Sequence, residues 1–370
     1  MLKTIRDPGV EIARLFGCLI VIGCHTYLPI SENNSQFDFT RTFIVMVCAD
    51  GVAVFWFILG CFIFRNQKSY SKLCKDMSVH ILIPLAMISA ITFYLFPYTQ
   101  GATLINSIRR PLPDYVDALK ATAVWKAIRG GEHLWYLYVY TLVIISFPAM
   151  KGVVVQIDSS KKQYLFFAGV FFLLSANAIT GNRLMNFSHV TIGGLIPGAL
   201  MTICGHIVYS HKNALLKYGW AMPIAFIILN IIRVFVYKAG LVYVLSWISP
   251  FGLLCSTFIL VFSFSITEKI HNNTAISLIC KMSSYTFSIY LFHNLVIGIL
   301  KRNHFMDLLI NNMPSSVVTI IHPLIMTTAV FLVTLVISII FRKCHDIILK
   351  INQRFDILDK SEAYANNLTK

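Results

Sequence analysis

The sequence predicts an all-α polytopic membrane protein of about ten transmembrane helices with both termini cytoplasmic, on three observations. Of 370 residues, 57% are hydrophobic and only 13% charged, against about 45–50% and about 25% in a soluble domain. Apolar runs of membrane-spanning length recur from residue 10 to residue 341 without a polar break. The basic residues fall between those runs rather than along one surface stripe. A bilayer absorbs this much apolar surface, whereas a soluble core does not. One membrane domain over residues 1–350 is expected, followed by a polar cytoplasmic tail over 351–370.

The runs lie near 10–28, 42–64, 79–98, 133–150, 163–180, 189–209, 218–237, 244–266, 282–300 and 317–341. Each is long enough to cross about 30 Å of hydrocarbon as a helix. The first carries Arg14 and His25 and no small-residue cleavage site, so it reads as a retained helix and not a signal peptide. Basic residues in short loops set the sidedness. Lys3 and Arg6 precede the first run, and Arg65, Lys68, Lys72 and Lys75 follow the second. Lys151, Lys161 and Lys162 follow the fourth, Lys212 and Lys217 the sixth, and Arg342, Lys343, Lys350 and Arg354 the tenth. All share one side, the cytoplasm. Residues 29–40 hold Glu32 and Asp38 and no Lys or Arg, as expected of the far side.

Residues 99–132 also fall outside, although they hold Arg109, Arg110, Lys120, Lys126 and Arg129. Longer loops obey the charge rule less strictly. Such a basic amphipathic loop suits either an anionic glycan or lipid phosphate, or simple rest on the headgroups. A short polar stretch around Asn182 and Asn186 separates the fifth and sixth runs, and the segment after Asp356 is expected to be loosely ordered. The net charge of +15 is topological, so no nucleic-acid partner is expected. Nine cysteines show no CxxC, and Cys18, Cys24, Cys61, Cys204 and Cys255 sit inside apolar runs, which implies free thiols. No histidine pair has the i, i+4 metal spacing with a carboxylate, so no metal is expected. The sequence has no phosphate-binding glycine loop and no GxSxG elbow.

The first run carries the chemistry. Charged groups in a membrane helix cost several kcal/mol unless paired or facing a polar cavity. Eleven residues from Arg14 to His25 make about three turns, so both share a face about 16 Å apart along the axis. Glu11, three residues before Arg14, is placed to pair with it. An imidazole is the side chain best suited to take a proton near neutral pH. A guanidinium fork suits a phosphate or a polarised carbonyl. From spacing alone, a snorkelling arginine and a histidine bonded to a neighbouring helix fit equally well. The stacking of Arg14 and His25 along one face suggests a tunnel past this helix that touches both residues.

Four stretches together resemble the acyltransferase 3 family of integral membrane acyltransferases, most closely its single-domain bacterial surface-polysaccharide O-acetyltransferases. They are Glu11 to His25 with ten residues between Arg and His, Gly51-Val-Ala-Val-Phe-Trp-Phe-Ile-Leu-Gly60, His133-Leu-Trp-Tyr-Leu-Tyr and Ser284-Tyr-Thr-Phe-Ser-Ile-Tyr290-Leu-Phe-His293. The resemblance implies transfer of an acetyl group from cytoplasmic acetyl-CoA to a sugar hydroxyl of a lipid-linked glycan at the periplasmic face of the inner membrane. It marks Arg14 and His25 as the central pair. His25 would be the general base or a transient acyl carrier. Arg14 would position the donor or stabilise developing charge, and Glu11 would orient Arg14. It also points to His133, Trp135, His293 and Tyr290 as substrate-binding candidates, and Glu132, a carboxylate near the external face, is a further candidate to bind sugar hydroxyls. Two features depart from the family pattern. Leu59 stands before Gly60 where a serine is common, and the run His80-Ile-Leu-Ile-Pro84 lacks the usual arginines. Lys72, Lys75 and His80 would then hold the CoA phosphates.

The same residues have plainer readings. An aromatic belt explains Trp135, Tyr136 and Tyr138, and a hydrogen bond between helices explains His293. His189, His206, His211, His304, His322 and His345 sit at helix ends or in loops, with no role assigned. Arg183 and Arg233 read as snorkelling anchors, with the wall of an acceptor cleft as the alternative. Two other functions compete with acyl transfer. A transporter or flippase of lipid-linked sugars would show internal repeats and matching broken helices, and no such symmetry is present. A non-catalytic receptor would be favoured by loss of the Arg14–His25 pair, which is intact. An acyl donor other than acetyl-CoA remains open.

Overall fold

The structure, a computed structural model, describes residues 6–27, 38–65, 69–123, 130–184 and 190–368. Lys3, Glu32, Lys68, Lys126, Arg129, Asn186 and His189 lie outside those residues. Every regular element described is helical. In order these are α1 (Pro8–Thr26), α2 (Phe39–Cys48), α3 (Gly51–Ile63), α4 (Tyr70–Met77), a π-helical turn (Ser78–Leu82) and α5 (Ile83–Thr99). Next come α6 (Leu104–Ile108), α7 (Leu112–Ala123), a 3-10 turn (Glu132–Leu134), α8 (Trp135–Ile145), α9 (Phe147–Gln156), α10 (Ser160–Ile179) and α11 (Val190–Ser210). The chain ends with α12 (Lys212–Leu215), α13 (Met222–Lys238), α14 (Pro250–Lys269), α15 (Asn273–Ser283), α16 (Thr286–Arg302), α17 (Asp307–Asn312) and α18 (Ser315–Leu368).

Among the described residues eight stretches are long and apolar enough to span a bilayer as they stand, and two bent helix pairs bring the count to ten. All ten expected runs are therefore present. The fourth and ninth are not single rods. α8 and α9 meet at 61° and α15 and α16 at 53°. Pro148, at the start of α9, lacks an N–H and crowds the residue before it, which ends α8 at Ile145. Between α15 and α16 the hydroxyls of Ser284 and Thr286 each donate to a carbonyl three residues back. Such bonds compete with the helical ladder. The segment expected to be loosely ordered instead continues α18 to Leu368.

Contacts between loops bear out the grouping of the helix ends. Asp7 accepts from Tyr209 Oη at 2.9 Å and Lys212 Nζ at 3.1 Å, and the Arg65 guanidinium lies 4.8 Å over the Tyr209 ring. The start of the first span and the inner ends of the second and sixth thus meet on one side. On the other side Arg302 donates to the Tyr98 and Ala102 carbonyls and joins the ends of the third and ninth spans. These sides are called inner and outer below.

The described residues 99–123 of the expected outer loop do not stand free on the outer side. α6 and α7 fold back beside α5. The Arg110 guanidinium stacks 3.8 Å over Phe93 and donates to its carbonyl, and Tyr115 Oη donates to Ala86 O at 3.0 Å. Ala86 lies thirteen residues, about 20 Å of helix rise, below Thr99. Arg110 is therefore engaged along α5 and is not a free surface cation, while Ile105 and Leu112 turn outward.

α3 is the central helix, in contact with α1, α11 and α14, and its Trp56 and Phe57 are fully buried. Glycines allow this closeness. A Cβ at Gly60 would collide with the Thr202 carbonyl, and one at Gly205 with the Phe57 backbone. Small residues at such crossings let membrane helices approach without a Cβ between them. Arg233 is not a snorkelling anchor. It is fully buried and forms a bidentate pair with Asp50, Nη1 to Oδ2 at 2.6 Å and Nη2 to Oδ1 at 3.2 Å. A charge so far from the surface needs a partner at the same depth, and the turn between α2 and α3 supplies Asp50.

Candidate active site

Asp7 caps α1 through its carboxylate and Gly9 N–H at 2.9 Å, and Pro8 fills the first helical position. This start fixes Glu11 and Arg14 near the inner end. Glu11 is 1% exposed. Its carboxylate accepts from Arg14 Nη1 at 2.9 Å and from the Ser283 hydroxyl at the break between α15 and α16. Arg14 is thereby held with its guanidinium 5.9 Å over the Phe62 ring. It forms part of the wall of a cavity of about 370 Å³. The remaining wall is mainly apolar, from Leu59, Phe62, Tyr136, Tyr140, Phe287 and Tyr290 among others. Leu59 takes its place in this wall at the position where a serine was expected.

Toward the outer side, three imidazoles converge. The His25 ring lies 5.1 Å from that of His293 and 6.3 Å from that of His133, and His133 and His293 are 4.6 Å apart. His133 and His293 are buried, and His25 is the exposed member. The Tyr290 ring stands 5.6 Å from both buried rings, and its hydroxyl donates to the His133 carbonyl. Tyr290 thus borders the cavity on one side and the histidine cluster on the other. His25 is not part of the cavity wall. Among the described residues the expected tunnel touching both Arg14 and His25 is not seen as one cavity, and Tyr290 stands between the Arg14 cavity and the cluster.

Hydrogen bonds fix the two buried imidazoles. A carbonyl oxygen only accepts, so His133 Nε2, 3.3 Å from Leu291 O, carries the proton. Its Nδ1 accepts from Asn294 Nδ2 at 3.0 Å. His293 Nδ1 donates to Tyr290 O at 2.6 Å. An inner cation over an apolar cavity and an outer imidazole cluster are suited to hold an acyl donor and to take a proton from an acceptor.

A family model described as an acyltransferase domain matches residues 7–343, nearly the whole chain. The chain belongs to the acyltransferase 3 family. It is a multi-pass membrane acyltransferase. No curated protein and no solved structure matches it significantly.

Of the residues singled out for this acyltransferase, His25, His133, His293 and Tyr290 meet at the outer cluster, and Arg14 lines the cavity with Glu11 paired to it. Glu132 does not join the cluster. It is exposed, and its carboxylate accepts the Gly130 N–H at 3.0 Å. Trp135 stacks on Trp247 at 5.9 Å instead. Lys72, Lys75 and His80 are exposed, and their neighbours Leu73 and Ile81 line the cavity in their place. Among the described residues no group of three His, Cys, Asp or Glu side chains is arranged to hold a metal. Ser283 and Asn294 were overlooked in the sequence. Each is a polar residue within an apolar run beside a motif already marked, which is the signal that could have found them.

Proposed function

We propose that this acyltransferase moves an acetyl group from acetyl-CoA, presented on the inner side, to a sugar hydroxyl of a lipid-linked surface glycan in the bacterial inner membrane, of the O-antigen or enterobacterial common antigen type. The observation that carries the reading is the shared wall at Tyr290, with the Arg14 cavity on one side and the three histidines on the other. The cavity suits an acyl thioester arm, since its wall is largely apolar with one guanidinium to receive a carbonyl or phosphate oxygen. Lys72 and Lys75 stand exposed beside Leu73 and would meet the CoA phosphates.

In the reaction, His25 accepts the acceptor hydroxyl proton as the oxygen attacks the thioester carbonyl. The carbon–sulfur bond breaks, and the proton passes from His25 to the departing sulfur. Arg14 holds the donor for this attack. A positioned general base contributes about 10²–10⁴-fold to such a step.

The test supplies proteoliposomes with radiolabelled acetyl-CoA and a lipid-linked glycan extract, and compares wild type with His25→Ala. Label reaching the glycan with wild type and lost by at least about 100-fold in a folded His25→Ala variant is the expected result. Movement of the glycan between leaflets without label transfer would replace this reading with a transporter.

A further inference from the structure

We infer that His293 is the positioning residue of the His25 base: its Nε2 accepts the N–H of His25 and so turns the bare nitrogen of His25 toward the acceptor hydroxyl. This rests on the acyl-transfer reading above.

Three observations meet here. With Nδ1 donating to Tyr290 O, a neutral His293 carries its lone pair on Nε2. That Nε2 is fully buried and has no hydrogen-bond partner among the described residues. A buried acceptor left bare is costly, so it marks a partner that arrives or turns in. His133 is not that partner, because Leu291 O and Asn294 Nδ2 occupy both its nitrogens. His25 makes no hydrogen bond among the described residues and is next to His293 in the cluster, at 5.1 Å between ring centres and a 45° tilt. An N–H···N hydrogen bond of about 3 Å between two imidazoles sets their centres about 5 Å apart. Rotation of the exposed His25 ring is then enough to close the bond, with no movement of the backbone.

The arrangement has a chemical consequence. An imidazole with one N–H committed to His293 is locked in a single tautomer, and its other nitrogen stays free to take a proton. When that nitrogen takes the acceptor proton, the new positive charge is shared through the hydrogen bond with His293. His133, edge-on to His293 and held neutral by its own two bonds, keeps the His293 ring in place. The proton balance is unchanged: the proton leaves the hydroxyl, rests on His25 and departs on the sulfur.

The test uses the full chain in lipid nanodiscs as wild type, His293→Phe and His293→Gln. Phenylalanine keeps the ring contacts and removes the acceptor, while the glutamine amide oxygen reaches the place of Nε2. The first readout is steady-state kinetics with acetyl-CoA. His293→Phe is expected to lower kcat by about 10–100-fold with the KM for acetyl-CoA unchanged, and His293→Gln to recover most of the loss. The second is the rate at which diethyl pyrocarbonate carbethoxylates His25, read by peptide mass spectrometry. It needs no acyl transfer. Several-fold slower labelling in His293→Phe and a near wild-type rate in His293→Gln are expected. Thermal unfolding of each variant separates misfolding from loss of positioning. Equal His25 labelling in wild type and a folded His293→Phe variant would overturn the inference. If wild type transfers no acyl group, the acyl-transfer reading fails, and the labelling rates still decide whether His293 positions His25.

Discussion

Replacing Arg233 with methionine should be among the most damaging changes to the fold of this acyltransferase, although the residue touches neither the cavity nor the histidine cluster. The Arg233 side chain is 0% exposed and that of Asp50 is 2%. The guanidinium binds both Asp50 oxygens and also donates to Val244 O at 2.7 Å and Met46 O at 3.3 Å. Removing one member of a buried pair costs about 3–5 kcal/mol, chiefly by leaving the other charge uncompensated. The two orphaned carbonyls add roughly 1 kcal/mol each, so Arg233→Met should cost about 5 kcal/mol or more. The double variant Asp50→Asn with Arg233→Met removes the stranded charge and should recover about 2–3 kcal/mol of that loss. The assay is equilibrium unfolding in mixed micelles of wild type, both single variants and the double. A double variant as unstable as the sum of the singles, or Arg233→Met within about 1 kcal/mol of wild type, would refute the assignment of this pair as a buried lock.

Two further outcomes are expected. Burial alone would raise the Asp7 carboxyl, but the hydrogen bond and charge of Lys212, with the Tyr209 hydroxyl and the Gly9 N–H, hold it below its ordinary 3.8. Its contribution to stability is then fully present above about pH 4 and lost as pH falls through the lower folded-state value. The melting temperature of wild type should drop in that acid range, and Asp7→Asn should lose up to about 1 kcal/mol at neutral pH and flatten the acid limb; an unchanged limb would refute the role given to Asp7. Gly60→Ala should cost about 1–3 kcal/mol by forcing α3 from α11. Gly152→Ala, with open space around its Cβ, should be neutral or slightly stabilising in the same unfolding assay, and equal losses at both positions would refute the close-crossing account.

The spans were legible because hydropathy over about 20 residues is a local property of the chain, and a bilayer demands it of every crossing helix. The shared face of Glu11, Arg14 and His25 was legible for the same kind of reason, since one helix fixes their spacing by its own 3.6-residue period. Neither property says which span neighbours which. Lipid-facing and helix-facing surfaces are equally apolar, so the pattern could not show that Arg233 turns inward to Asp50 or that Arg110 folds back onto Phe93. Their depth in the molecule was set by packing. The bend between α15 and α16 likewise depends on hydroxyls turning back on their own backbone, and it is that bend which brings Ser283 to Glu11. His133 and His293 were marked as separate candidates, one at a helix start and one in mid-helix. Only the packing of α16 and the 3-10 turn beside α1 makes them a cluster around His25, because contacts across more than a hundred residues of chain are decided by how helices fit together and not by any repeat within one of them.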